Sequence, residues 1–131
     1  MKYVLGLSIA IALSLTFPAT AAEWVLVDRT SNGQGIYVDK TSIRRVNQFS
    51  WFWLSGPAPA SIRQDIKEAE TFMVYLSVDC KTGTTRFREV AVYNASKKLI
   101  YQIAPGDRGP VYQRYFQQDG FNKVWQMTCR G

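Results

Sequence analysis

The stretch TFMVYLSVDC at residues 71–80 limits the fold more than any other part of the chain. Side chains of a strand alternate between the two faces of its sheet, so Phe72, Val74, Leu76, Val78 and Cys80 share one side and Met73, Tyr75, Ser77 and Asp79 the other. The apolar row demands a core, and it carries a cysteine into it. The run ends at KTGT, a hairpin turn. With Thr82-Gly83 as its central pair, Asp79 stands opposite Arg86 and Val78 opposite Phe87. That register predicts Phe87 and Ala91 on the core side, with Glu89 as a polar intruder. A second turn at residues 94–97 pairs Val92 with Leu99 and Val90 with Tyr101. The glycosylation-like Asn94-Ala95-Ser96 reads as turn chemistry, since Asn and Ser favour turns for their own reasons.

The other segments supply strands and one change of period. WVLVD from Trp24 and GIYVD from Gly35 are β-branched and aromatic, separated by the turn cluster 30–35. Asp39 can cap a single helical turn over residues 40–43 by accepting from free backbone amides. FSWFWLSGPAPAS, residues 49–61, gives a third strand stopped by Gly56, Pro57 and Pro59. Alternation puts Phe49, Trp51 and Trp53 on one side and Phe52 and Leu54 on the other; the three-aromatic row is expected to face the core, and exposure would instead make Trp51 and Trp53 binding candidates. Residues 60–70 read as a polar helical excursion, with Ile62 and Ile66 on one face. Beyond Pro110, a good first helical residue, Val111/Tyr115 and Tyr112/Phe116 are spaced by four, and Asp119-Gly120 ends or bends that helix. Phe121, Val124, Trp125 and Thr128 recur as in a helix docked on the sheet, with a strand as the alternative. The expected fold is α+β: a single antiparallel sheet of about six strands packed against a C-terminal helix.

Met1 and Lys2, the apolar run 3–17 and the small residues of Pro18-Ala19-Thr20-Ala21-Ala22 form an export leader, with cleavage expected after Ala21 or Ala22. The run is short for a membrane span, which needs about 20 apolar residues. No cysteine lies near the cut, so lipid attachment there is not expected. Residues 23–131 then form one domain of about 110 residues. Cys80 and Cys129 are the only cysteines, and an oxidising compartment pairs them. The formal net charge of +6 falls by one with the loss of Lys2. It favours acidic partners, anionic glycans or lipid head groups, in a salt-dependent way; after export, nucleic acid is not expected. The chain has no histidine, which removes Ser-His-Asp and Cys-His nucleophile systems and the usual metal clusters. Asp65, Glu68 and Glu70 do not form an acid/base pair, so neither an enzyme nor a cofactor is expected.

Trp24 at the start of the domain, Tyr37-Val38-Asp39 followed by Ser42-Ile43, Trp51 and Trp53 on one strand, Asp79-Cys80 at the end of another, Pro105-Gly106 and a final Cys129 come in an order that resembles the surface-adhesin protein E family. The resemblance spans almost all of residues 23–131. It implies an antiparallel sheet against a C-terminal helix, exposure at a bacterial envelope and, for the adhesin that names the family, binding of vitronectin, laminin and plasminogen. That adhesin is lipid-anchored; this chain, without the lipidated cysteine, is expected to be periplasmic or secreted. The second sheet face, with Met73, Tyr75, Val90, Val92, Leu99 and Tyr101 at one end and Ser77, Asp79, Arg86 and Arg88 at the other, is either covered or kept for a partner. Tyr75, Arg86, Arg88, Tyr101, Trp51 and Trp53 are therefore the candidate partner-binding residues. The expected partner is a protein or an anionic envelope or extracellular ligand, and a homodimer is compatible with the same face. The alternative function is inhibition of an exported enzyme, with Pro57-Ala58-Pro59 or the basic turns plugging a cleft.

Overall fold

The computed structural model describes residues 21–113 and 122–130. Most of the leader, and the expected helical positions Tyr115, Phe116, Asp119, Gly120 and Phe121, lie outside these. An antiparallel sheet runs in the order β1 (Trp24–Arg29), β2 (Gly35–Asp39), β4 (Phe49–Pro57), β5 (Thr71–Asp79), β6 (Thr85–Tyr93) and β7 (Leu99–Ile103). Short β3 (Arg44–Val46) also pairs with β4, and β8 (Val111–Tyr112) with β6, giving eight strands among the described residues. Those two short strands enlarge the expected six-strand sheet. They escape the sequence pattern because a two- or three-residue pairing has too little alternation to register.

One face of the sheet is the core. Val38, Phe52, Val74, Leu76 and Val78 are fully buried there. Over them lie α1 (Ala60–Asp65), through Ile62 and the adjoining Ile66, and the C-terminal α2 (Asn122–Trp125), which widens into a π-helical turn over Gln126–Arg130. Val124, Thr128 and Cys129 point inward from that helix, and Cys129 is bonded to Cys80. Arg45 Nη1 donates to the Cys129 carbonyl at 2.6 Å, a polar clamp beside the covalent one. The expected cap is also present: Asp39 Oδ1 accepts from Thr41 N and from the Thr41 hydroxyl, and a 3-10 turn spans Lys40–Ser42.

Three expectations are corrected. The aromatic row of β4 faces away from the core: Phe52 and Leu54 are buried, whereas Trp51 and Trp53 are half-buried and Phe49 is exposed on the opposite side. The cause is pairing with β5, which sets Phe52 opposite Leu76 and Leu54 opposite Val74, so the obvious core row of β5 selects its neighbours. Secondly, the hairpin loop is longer than two residues. Asp79 N donates to the Thr84 carbonyl and Gly83 N to the Asp79 carbonyl, which pairs Val78 with Thr85 and Ser77 with Arg86 rather than with the residues expected. A bulge at Arg88 then shifts the register, Leu76 facing Phe87 but Tyr75 facing Glu89. Beyond it the faces exchange. Val90 and Val92 turn to the core, Ala91 turns to the outer face opposite Met73, and Glu89 leaves the core and accepts from Gln102 Nε2 at 3.0 Å. Across the next hairpin Val92 pairs with Tyr101 and Val90 with Ile103, two residues from the expected register. The third correction is at Pro110, after which Val111 and Tyr112 form a strand against Arg86 and Thr85 instead of starting a helix.

Candidate functional site

The corrected faces redistribute the candidate residues. Cross-strand partners share a face, so the outer surface can be read in rows. Leu26, Tyr37, Ser55, Met73 and Ala91 form one row; Trp53, Tyr75 and Glu89 the next; Arg44, Trp51, Ser77 and Arg86 the third; Val46, Phe49 and Asp79 the last. The centre of this face is aromatic. Tyr75 lies between the two tryptophans, its ring centroid 5.2 Å from that of Trp53 and 6.3 Å from that of Trp51, at interplanar angles of 41° and 37°. Tilted pairs of this kind add to the burial energy and hold the rings as one surface.

The bulge releases an arginine from the ladder. As the extra residue of β6, Arg88 has no cross-strand partner on β5, and its guanidinium carbon stands 4.1 Å from the Trp51 ring centroid on the outer face. Arg88 Nε donates to the Ser77 hydroxyl at 2.8 Å, and Nη1 forms an ion pair with Asp107. Asp107 is held in place by the 3-10 turn Gly106–Arg108. The turn itself is pressed against β6: a Cβ at Gly109 would fall 1.7 Å from the Phe87 carbonyl oxygen, so only glycine fits there. Arg86 Nη1 donates to the Gly109 carbonyl at 2.8 Å, fixing the same loop from the other side. The Arg88 guanidinium, through its hydrogen bond and its charge, holds the Asp107 carboxyl below its ordinary pKa of 3.8. At the hairpin end, Asp79 is lowered likewise, first by the Gln48 amide on Oδ2 and then by the Lys81 and Thr82 backbone amides on Oδ1.

Five of the six candidate residues therefore converge: Trp51, Trp53, Tyr75, Arg86 and Arg88. Tyr101 does not join them. It goes with Val92 to the opposite face, where it lines an apolar groove of about 650 Å³ with Ile62, Ile66, Val90 and Ile103. Sequence reasoning missed Phe49, Val46, Leu26 and Tyr37 as exposed apolar neighbours of the aromatic centre. Their signal was available in the pairing logic, since each falls on a row that contains an outward residue of β5, Met73 or Asp79. Among the described residues there is no cluster of three metal-ligating side chains, and no helix is long and apolar enough to cross a membrane. The arrangement offers contact chemistry: large rings, an anchored guanidinium and exposed Arg44 at the edge.

A family model described as surface-adhesin protein E matches residues 24–130. Two solved structures of Haemophilus influenzae protein E, one in its crystal form II, share the fold. Crystal form II has a TM-score of 0.51 at 15% identity, covering 87% of this chain and 94% of its own. The other has a TM-score of 0.50 at 16% identity, covering 87% of this chain and 90% of its own. At such identity the likeness concerns the fold alone. No curated protein sequence matches the chain.

Proposed function

The chain belongs to the surface-adhesin protein E family, and from that premise we propose that it is an exported, non-catalytic binding protein of the bacterial envelope whose contact surface is the outer sheet face around Trp51, Trp53 and Tyr75. The observation that carries this reading is the inversion of β4, which places a tryptophan pair on the solvent side and leaves Phe52 and Leu54 as its large apolar core residues. Trp, Tyr, Met and Arg are the residues enriched at the centres of protein interfaces, where a few of them supply most of the binding energy. This face has all four, with the guanidinium of Arg88 already ordered by Trp51, Ser77 and Asp107. Pre-ordering lowers the entropy lost on binding. The partner is a protein of the extracellular matrix or of the envelope, and the basic balance that remains after Lys2 is lost from the net +6 favours one with an acidic contact surface.

The test uses the exported protein on immobilised vitronectin, laminin and an envelope-protein extract. Trp53→Ala combined with Tyr75→Ala is expected to weaken binding by about 30-fold or more, the loss of one strong hot spot. Tyr101→Ala, on the opposite face, is expected to leave it unchanged. Binding that survives the double substitution with unaltered affinity removes this face from the site.

A further inference from the structure

A second concavity lies on the core side of the sheet, away from the aromatic face, and shares Pro59 with the Tyr101 groove. It measures about 310 Å³, within the lower range of small-ligand sites. Its floor is apolar: Ile36 from β2, Leu54 from β4 and Phe72 from β5, each buried beneath it. Its rim is polar and comes from the β1–β2 loop, residues Thr30, Ser31, Asn32 and Gln34, and from Arg63 of α1.

The rim is built by local bonding. Thr30 N donates to the Gln34 carbonyl at 2.8 Å, Gly33 N to the Thr30 carbonyl at 2.9 Å, and Gln34 N to the Thr30 hydroxyl at 3.1 Å. Arg29 Nη1 donates to the Gly33 carbonyl at 2.9 Å, and Gly33 sits at φ 89°, a left-handed conformation that favours glycine. These bonds use the backbone, the Thr30 hydroxyl and the Arg29 guanidinium. The Ser31 hydroxyl, the Asn32 amide nitrogen and the Gln34 side-chain amide make no hydrogen bond to other described residues. Nor does the Arg63 guanidinium, which has no ion pair among them.

The charge of the lining decides the ligand. Arg63 is its one ionised side chain among the described residues, and no carboxylate of theirs lines the cleft. An unpaired guanidinium beside hydroxyl and amide donors fits a carboxylate, which its planar fork can hold in two parallel hydrogen bonds. The apolar floor fits a short hydrocarbon or aryl body attached to it. We propose that this cleft is a binding site for small apolar carboxylates, with the acid group at Arg63 and the apolar body on Ile36, Leu54 and Phe72. The site is independent of the outer face, so a carboxylate ligand bound here leaves the aromatic surface free.

The experiment is a titration of the exported, isotope-labelled protein with 3-phenylpropionate, followed by amide proton–nitrogen spectra. Saturable shifts at Ser31, Asn32, Gln34, Gly56 and Arg63 are expected, with a dissociation constant of about 1–5 mM for a ligand of this size. The neutral 3-phenylpropionamide and the cationic 3-phenylpropylamine are expected to bind at least about tenfold more weakly. Arg63→Gln is expected to weaken the carboxylate by the same factor without changing the melting temperature, because Arg63 is exposed and has no hydrogen-bond or ion-pair partner among the described residues to lose. Gln34→Ala provides a second variant, with a smaller loss. Shifts that do not saturate overturn the proposal, as do shifts centred on the Tyr101 groove. Equal affinity for the amide, or for the Arg63→Gln variant, overturns the role given to the charge.

Discussion

Truncating two adjacent aromatic residues of β4 should have opposite consequences. Phe52 is completely buried opposite Leu76, within the cluster that includes Val38, Val74, Val78 and Val124. Phe52→Ala removes a ring from a site that can collapse only partly around the gap, because most of its walls are strand residues fixed by the ladder. The expected loss is about 3–5 kcal/mol, against a total of about 5–15 kcal/mol for a domain of this size. Trp53 is half-buried on the other face, with Tyr75 as its ring partner. Trp53→Ala loses that pair, about 0.5–1.5 kcal/mol, and part of the ring's contact with the sheet, for about 1–2 kcal/mol in all. Urea unfolding followed by far-ultraviolet circular dichroism measures both, avoiding the tryptophan signal that one variant deletes. The midpoint should fall two to three times further for Phe52→Ala, with an unchanged slope in each case. Binding should show the reverse order, Trp53→Ala failing while folded Phe52→Ala still binds. Equal destabilisation by the two substitutions would refute the face assignment, and with it the reasoning that places the site.

Two further perturbations test other links. Replacing both Cys80 and Cys129, 49 positions apart, by alanine should cost about 4 kcal/mol from the unfolded chain's regained entropy; calorimetry showing less than about 1 kcal/mol would mean that the Arg45 clamp and Val124 hold the helix without help. The folded-state pKa of Asp79 lies below its ordinary value because Gln48 and the turn amides favour the carboxylate. Its contribution is therefore present above the unfolded value of 3.8 and is lost as pH falls through the lower folded value. Asp79→Asn should flatten the stability profile below about pH 4; an acid limb identical to that of the parent protein would assign the effect elsewhere.

Much of this fold was legible because β5 is unambiguous, and the remainder depends on how far its influence extends. Phe72, Val74, Leu76 and Val78 could face only the core, and Asp39 could hardly avoid capping the turn after it. The β4 faces were not legible from β4 alone, since Phe49, Trp51, Phe52 and Trp53 put rings on both sides and alternation then ranks the faces by ring count. Ring count gives the wrong order here. A tryptophan rarely disappears completely into a core, whereas phenylalanine does so readily, and the inward row of β4 pairs Phe52 and Leu54 with the small residues Ser50 and Gly56. The register beyond Arg88 was invisible for a different reason. A bulge inserts one residue without a compositional mark, and every later residue on the strand changes face. That single residue draws Val90 and Val92 into the core, turns Glu89 outward and sends Tyr101 to the far side.

Strict alternation would also have put Arg88 on the outer face, level with Tyr75, but it would have sent Glu89 inward and left Val90 and Val92 outside. The bulge instead keeps Arg88 and Glu89 on the same side and leaves the arginine without a ladder partner, free to lie across Trp51. The candidate contact surface is thus the product of two features, the inversion of β4 and this insertion. Trp53→Ala tests the first. Deletion of Arg88 tests the second, because removing the extra residue restores plain alternation with Phe87 still opposite Leu76 and Glu89 still opposite Tyr75. The shortened chain is expected to keep its fold while losing the cation over Trp51, and so to bind an acidic partner more weakly. Loss of the native circular dichroism spectrum on deletion would show that the bulge is required by the packing around Val90 and Val92, and not only by the outer face.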